Sequence, residues 1–318
     1  MRTPPPVFVV GGPTASGKSA FAMALAERFD GVVINADSMQ VYRDLAILTA
    51  RPSAGDEARV PHRLFGLLDA ADTCSVARWR DLALAEIDAA HADGRRAIVV
   101  GGSGLYLRAL MSGIAPVPPI PQAVRDAARA RHGELGAAAF HAALAGRDPV
   151  MAARLAPGDR QRTIRAWEVI EATGRSLADW QAETAAAVPF VFDVVLLLPP
   201  RAALYAACDS RFAAMLDAGA LDEVRALDAR VANGEVAGAA PLLKALGVPE
   251  LRGLLHGACD RAGAVAAAQQ ATRRFAKRQT TWFRHQVPAE AVVPVRRLLR
   301  YEAKYSDDKF DEIFSKMS

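Results

Sequence analysis

The stretch Val7-Phe8-Val9-Val10-Gly11-Gly12-Pro13-Thr14-Ala15-Ser16-Gly17-Lys18-Ser19 decides the reading of this chain. Its four leading apolar residues, mostly β-branched, predict a buried strand. The run Gly12, Pro13, Thr14, Ala15, Ser16, Gly17, Lys18, Ser19 fits G-x-x-x-x-G-K-[ST], and an Ala/Leu-rich helical pattern follows to Phe29. Strand, loop and helix in this order form the context in which such a loop binds phosphate. Glycines at positions 12 and 17 let the backbone curl so that successive N–H groups point inward at an anion. The following helix adds unpaired donors and the positive end of its dipole. Lys18 is placed to reach terminal phosphates, and the Ser19 hydroxyl to ligate Mg²⁺. These residues define a phosphorylated ligand, without saying which one or whether a phosphate is transferred.

With 318 residues and 52% hydrophobic content, the chain can bury a large core, and its length predicts about two domains. A net charge of +4 leans only weakly towards an anionic partner, so the placement of charges matters more than their sum. Cys74, Cys208 and Cys259 stand singly, which indicates neither a zinc site nor a disulfide framework but thiols in a reducing cytoplasm. Residues Met1 to Pro6 carry no apolar leader segment, and no apolar run reaches about 18 residues. The expectation is a soluble cytoplasmic protein with no membrane partner.

Val32-Val33-Ile34-Asn35-Ala36 reads as a second buried strand, ending at Asp37-Ser38-Met39-Gln40-Val41-Tyr42. Functional groups collect past the carboxyl ends of strands in open α/β sheets, which places Asp37 beside the phosphate loop. Spacing alone equally allows Asp37 to cap the next segment. Residues 50–72 read as loop, and His62 within them receives no role. A third strand, Ala97 to Val100, runs into Gly101-Gly102-Ser103-Gly104, where hydrolytic P-loop enzymes place an acidic Mg²⁺ partner. Its absence argues against plain nucleotide hydrolysis. The glycines predict close approach of a ligand or of another chain segment.

A Pro-rich linker spans 112–121, and 122–187 shows helical stretches near 122–132, 135–145 and 160–172 but no strands. Arg162 and Arg165 share one helix face, and Arg125, Arg129 and Arg131 charge an earlier helix. Arginines near a helix N-terminus, where the dipole opposes them, call for an anionic partner. A fourth strand is read at 192–199, then an amphipathic helix carrying Arg211 and Phe212. The helix at 262–286 interleaves cations with Phe275, Trp282 and Phe283, a pattern suited to nucleic-acid contacts or to a half-buried core helix. A final strand is expected near 291–295. The tail 301–318 is either a docked helix or a frayed end.

Five motifs occur in one order: Gly12 to Ser19, Asn35 to Tyr42, Val99 to Tyr106, Gln161-Arg162-Thr163-Ile164-Arg165, and Arg273 to Gln279. In that order, over roughly residues 7–286, the chain resembles the bacterial tRNA isopentenyltransferase family. The resemblance implies a P-loop NTPase-like parallel α/β sheet flanked by helices, with a helical insertion domain. Its division would be 1–114 for the first part of the core, 115–187 for a tRNA-contacting insertion, 188–300 for the second part, and 301–318 for a tail that does not map onto the family. It implies transfer of a dimethylallyl group from dimethylallyl diphosphate to N6 of an adenosine beside the anticodon, with Mg²⁺ as cofactor, by a monomer. Lys18 and Arg211 would then act on the diphosphate leaving group and Asp37 as the general base. The tRNA anticodon stem-loop would meet Asp37, Ser38, Met39, Gln40, Ser103, Arg125 and Gln161 through Arg165, where Ser103 stands in place of the family's more usual Thr. Lys244 to Pro249 departs from the family's Gly-Tyr-Arg pattern, and no tRNA-binding role is given to it. Competing readings are a small-molecule P-loop kinase, an isopentenyltransferase acting on free adenine nucleotides, and an RNA-binding regulator with a structural nucleotide site.

Overall fold

The apolar runs read from the sequence become adjacent parallel strands in a computed structural model that describes residues 6–183, 188–287, 295–303 and 305–315. The strands are β1 (Val7–Gly11), β2 (Gly31–Asn35), β3 (His62–Arg63), β4 (Arg96–Gly101), β5 (Phe192–Leu197) and β6 (Val295–Tyr301), in the order β3-β2-β4-β1-β5-β6. Every pairing is parallel. Central strands of such a sheet are covered on both faces, which is why they read as continuous rather than alternating apolar runs. Val7 and Val9 join one core layer, and Phe8 and Val10 the other. Each fully buried side chain of this size stabilises the fold by about 1.5–3 kcal/mol.

The helices are α1 (Lys18–Phe29), α2 (Ala54–Arg59), α3 (Val76–Ala92), α4 (Gly104–Ser112), α5 (Gln122–Ala145), α6 (Pro149–Arg154), α7 (Arg160–Thr173), α8 (Leu177–Ala182), α9 (Arg201–Asp217), α10 (Ala220–Ala232), α11 (Val248–Leu255), α12 (Arg261–Gln286) and α13 (Phe310–Ser315). Trp79 of α3, Leu107 of α4, Val224 of α10, Leu251 of α11 and Phe283 of α12 belong to the first core layer. Phe21 and Leu25 of α1 and Ile313 of α13 belong to the second.

The chain divides into two compact units, residues 1–112 with 188–318, and 113–187. The first is the P-loop NTPase-like sheet with its flanking helices. The second is helical, with a core of Ile120, Phe140, Leu144, Met151, Ile164, Trp167 and Val169. Buried Asp148 joins two of its helix starts, accepting the Met151 N–H at 3.0 Å and the Ser176 hydroxyl at 2.9 Å. Gly136, at φ 72° and ψ 169°, breaks α5 in two.

Two expectations are corrected, and the alternative left open for the tail is decided. The segment 50–72 holds α2, closed by a reciprocal cap between Ser53 and Asp56 that is too local to show as periodicity, and the short edge strand β3. The last strand begins at Val295 rather than ending there, and 291–294 lie outside the described residues. The tail is docked: Phe310 packs 5.7 Å from Phe21, and Phe314 5.2 Å from Phe29, ring centre to ring centre.

Candidate active site

The phosphate loop follows β1, and α1 begins at Lys18. Gly17 takes φ 90°, a left-handed conformation that glycine adopts at little cost. A Cβ there would also lie 2.8 Å from Tyr305 Cβ, because the tail crosses the loop at this point. The Tyr305 N–H donates to the Ser16 carbonyl at 3.3 Å. Ser16 is fully buried, and no hydrogen bond from the described residues engages its hydroxyl. Lys18 Nζ donates to the Pro13 carbonyl at 3.4 Å, while Ser19 is exposed at the helix start.

Two helices far away in sequence hold the loop at Thr14. Gln279 of α12 accepts the Thr14 N–H at 2.9 Å, and the Arg211 guanidinium of α9 donates to the Thr14 hydroxyl. Asp209 links these helices, accepting from Arg273 at 2.6 Å, with the Gln269 amide donating to its carbonyl at 3.2 Å.

Asp37 lies two residues past the end of β2, on a turn built by its neighbours. The Asn35 side chain, fully buried, accepts the Asp37 N–H at 2.7 Å and donates to the Asp37 carbonyl at 3.0 Å. Trp79 fixes Asn35 in turn, donating from Nε1 to its carbonyl at 2.8 Å. One Asp37 carboxylate oxygen, Oδ1, accepts the Met39 N–H at 2.9 Å. Asp37 thus caps a turn rather than a helix, and Oδ2 accepts no hydrogen bond from the described residues.

Between the loop and this turn runs the end of β4. Ser103 Oγ accepts the Ser38 N–H at 3.0 Å, tying the two strand ends together. The glycines here meet other chain segments: a Cβ at Gly101 would stand 2.1 Å from the Ala36 carbonyl oxygen, and one at Gly104 2.2 Å from the Trp282 ring.

Lys18, Arg211 and Asp37 act on one another electrostatically. Burial pushes the Lys18 ammonium down to about 8, opposed by the negative charge of Asp37 and assisted by the positive charge of Arg211. Burial likewise lowers Arg211, with Cys208 and Asp37 pulling the other way. Two partly desolvated cations beside one carboxylate are a site short of negative charge. A cavity of about 500 Å³ opens beside Ser19, lined by Met23, Gln40, Arg51, His62, Phe65 and Tyr305 among others. Among the described residues no group of three or more His, Cys, Asp and Glu gathers to hold a metal.

The other sequence-derived residues divide between the units. Ser38, Met39, Gln40 and Ser103 surround Asp37; the Gln40 amide donates to the Thr49 and Ala50 carbonyls, both at 2.8 Å. In the helical unit, Gln161 and Arg162 are exposed and Arg165 is half-buried. Arg162 lies 3.5 Å from Asp159, and Arg165 3.3 Å from Glu168. Thr163 and Ile164 instead point into the core, Thr163 spending its hydroxyl on the Asp159 carbonyl at 2.6 Å, so their side chains offer no outward contact. Arg125 is half-buried, and its Nε has no partner among the described residues.

Asn35, Gln279 and Tyr305 also build the site, and no motif chemistry assigns them that role. Gln279 had a visible signal. Ala268, Thr272, Ala276 and Phe283 are spaced as one buried helix face, and Gln279 is the long polar side chain within it.

The fold and site thus define a P-loop NTPase-like protein with Lys18, Arg211 and Asp37 gathered at one end of a parallel sheet. The family model described as IPP transferase matches residues 40–286. The chain is 57% identical over 286 residues to the tRNA dimethylallyltransferase of Rhodospirillum centenum, covering 89% of this chain and 90% of that protein. It is 53% identical over 288 residues to that of Paramagnetospirillum magneticum, covering 90% of each. Among solved structures, the tRNA isopentenylpyrophosphate transferase of Bacillus halodurans aligns at a TM-score of 0.66 and 30% identity, over 98% of this chain and 94% of that one. The chain belongs to the IPP transferase family, whose members are prenyltransferase enzymes.

Proposed function

We propose that this chain transfers a dimethylallyl group from dimethylallyl diphosphate to N6 of the adenosine 3′ of the anticodon in tRNA, releasing diphosphate. The observation that carries this reading is the convergence of Lys18 and Arg211 on the phosphate loop beside Asp37, in a member of the IPP transferase family. Its relatives in Rhodospirillum centenum and Paramagnetospirillum magneticum are named as tRNA dimethylallyltransferases.

The allylic C–O bond breaks with its electron pair leaving on diphosphate. Donors fixed in advance where that charge develops lower the barrier most, and Lys18, Arg211 and the loop amides are such donors. The adenine N6 lone pair is delocalised into the ring, so N6 attacks well only when oriented and relieved of its proton as the N–C bond forms. Asp37, held in place by Asn35 and with Oδ2 left open by the described residues, accepts that proton. The adenosine must leave its stack to reach these groups. The cavity beside Ser19 has the size of a small organic ligand site.

Mg²⁺ fits the residues present: Ser19 offers an exposed hydroxyl at the helix start, and such an ion is held mainly by substrate phosphates and waters. Bound there, it would neutralise charge on the diphosphate. Contact with the tRNA is assigned to Ser38, Met39, Gln40 and Ser103 around Asp37, and to Arg125, Gln161, Arg162 and Arg165 of the helical unit. The exposed cations Arg274, Lys277, Arg278 and Arg284 of α12 add a phosphate-seeking face. Among the described residues no helix is long and apolar enough to cross a membrane, and the protein is proposed to work in the cytoplasm as a monomer.

The test is incubation with unmodified tRNA, Mg²⁺ and either dimethylallyl diphosphate or ATP, followed by mass spectrometry of the digested RNA. One prenyl group on an adenosine with the first donor and no change with ATP is expected. Unmodified RNA in both arms would overturn the assignment.

A further inference from the structure

We propose that Gln279 is a positioning residue for the diphosphate-binding loop, a role given to no residue above. The inference rests on the reading that this loop holds a diphosphate. Gln279 is 6% exposed and lies on the inner face of α12. Its amide is used at both ends. Oε1 accepts the Thr14 N–H at 2.9 Å, and Nε2 donates to the Gly102 carbonyl at 2.9 Å. One side chain therefore joins three elements: the phosphate loop after β1, the end of β4, and the helix whose outer face carries Arg274, Lys277 and Arg278.

The surroundings are shaped to this amide. A Cβ at Gly102 would stand 2.3 Å from Gln279 Nε2, so the approach depends on that residue being glycine. Residue 14 is gripped twice, by Gln279 at its backbone and by Arg211 at its hydroxyl. The Thr14 amide belongs to the loop that cradles the anion, yet it is directed at Gln279. Fixing this peptide sets the direction of the neighbouring ones, so that their donors stand where phosphate oxygens arrive. Losing the Gln279 amide leaves Thr14 N–H and Gly102 C=O without partners in a closed space, and the loop relaxes away from the binding geometry to satisfy them. A loop built only to bind would lose affinity alone. A loop that must stabilise a leaving group loses both affinity and rate, because misplaced donors fail most where charge develops.

The test uses the full-length protein and three variants. Gln279→Met keeps the length and removes both hydrogen bonds. Gln279→Glu keeps the acceptor for Thr14 and loses the donor to Gly102. Gly102→Ala leaves the glutamine in place but obstructs its amide. Binding of inorganic diphosphate is measured by calorimetry, and KM for dimethylallyl diphosphate, KM for tRNA and kcat by steady-state transfer. Gln279→Met is expected to weaken diphosphate binding and raise KM for dimethylallyl diphosphate by about tenfold. kcat should fall with them, while KM for tRNA stays within about twofold, because the outer cations of α12 are untouched. Gln279→Glu should be impaired at least as much as Gln279→Met, because its carboxylate faces the Gly102 carbonyl and the arriving diphosphate. Gly102→Ala should act in the direction of Gln279→Met, and the two combined should be less than additive. Diphosphate binding and KM values unchanged in Gln279→Met, with only a lower melting temperature, would overturn the positioning role. Should Gln279→Met fail to fold, the other two variants decide by the same readouts. Lys18→Ala separates the two claims. If the unchanged protein binds ATP but not diphosphate, the functional reading fails and Gln279 is judged on ATP. If diphosphate binds and Lys18→Ala weakens it while all three variants do not, the positioning role alone fails.

Discussion

Two cationic regions, one in each unit, handle charge in opposite ways. At the phosphate loop, Lys18 and Arg211 are partly desolvated, and burial lowers the affinity of both for protons. Neither forms an ion pair with the nearby Asp37, which influences them through space while its Oδ1 accepts the Met39 N–H. At the start of α7, Arg162 has a side chain 75% exposed and sits 3.5 Å from Asp159, and Arg165 pairs with Glu168 on the same helix. The exposed Arg162–Asp159 pair contributes about 0–1 kcal/mol, so a phosphate replaces that acid at little cost, whereas Glu168 is buried. The first arrangement suits charge that appears during bond cleavage. The second suits a polyanion that only has to be held in register.

The largest effect expected on this contrast comes from Asp37. Asp37→Asn keeps an acceptor for the Met39 N–H and removes the proton acceptor. Transfer should fall by about 10²–10⁴-fold with tRNA affinity nearly unchanged, measured by single-turnover assay and filter binding. A variant that kept most of its rate would take Asp37 out of the chemistry. Lys18→Ala should cost about 10²–10³ in rate at saturating dimethylallyl diphosphate, again without weakening tRNA binding. An unchanged rate would make the loop a mere anchor.

A smaller effect follows from the ammonium itself. Lys18 loses its proton near pH 8 in the free protein, while a bound diphosphate favours the charged form. Binding above that pH must take up a proton at Lys18. The part of the affinity that depends on Lys18, read as the difference from Lys18→Met to cancel the ionisation of diphosphate itself, should be level below about 8 and then fall by up to about tenfold per pH unit. Calorimetry with no divalent cation present, in buffers of different ionisation enthalpy, reads this uptake. Lys18→Met should abolish that part of the uptake. Smallest is the replacement of Arg162 and Arg165 by alanine, which should leave kcat intact. It should make the slope of log affinity for tRNA against log salt shallower by about 0.7–0.9 for each phosphate no longer neutralised. An unaltered salt slope with a damaged kcat would erase the distinction between the two regions.

How far the sequence carried depended on how local the physics is. The phosphate loop was legible because consecutive residues set its shape, and the close approach at Gly101, Gly102 and Gly104 followed from the missing side chains. Which segments approach was not legible, since Ala36, Gln279 and Trp282 arrive through the fold. The grip of Arg211 on Thr14 spans 197 positions and leaves no local pattern. Strand β6 was misplaced because Val295-Arg296-Arg297-Leu298-Leu299-Arg300-Tyr301 lies at the sheet edge and lacks a buried apolar run. The motif Gln161 to Arg165 was read as one contact surface, whereas helical geometry turns Thr163 and Ile164 inward and leaves Gln161, Arg162 and Arg165 to face out or lie half-buried.

The loop from Gly12 to Ser19 is proposed to hold a departing diphosphate rather than a nucleotide. Phosphorus NMR during a reaction with unmodified tRNA, dimethylallyl diphosphate, Mg²⁺ and added ATP tests it most directly. One inorganic diphosphate is expected for every prenyl group found on the tRNA, with the ATP signals unchanged. Loss of ATP signal in step with product, or diphosphate release without prenylated tRNA, would contradict it.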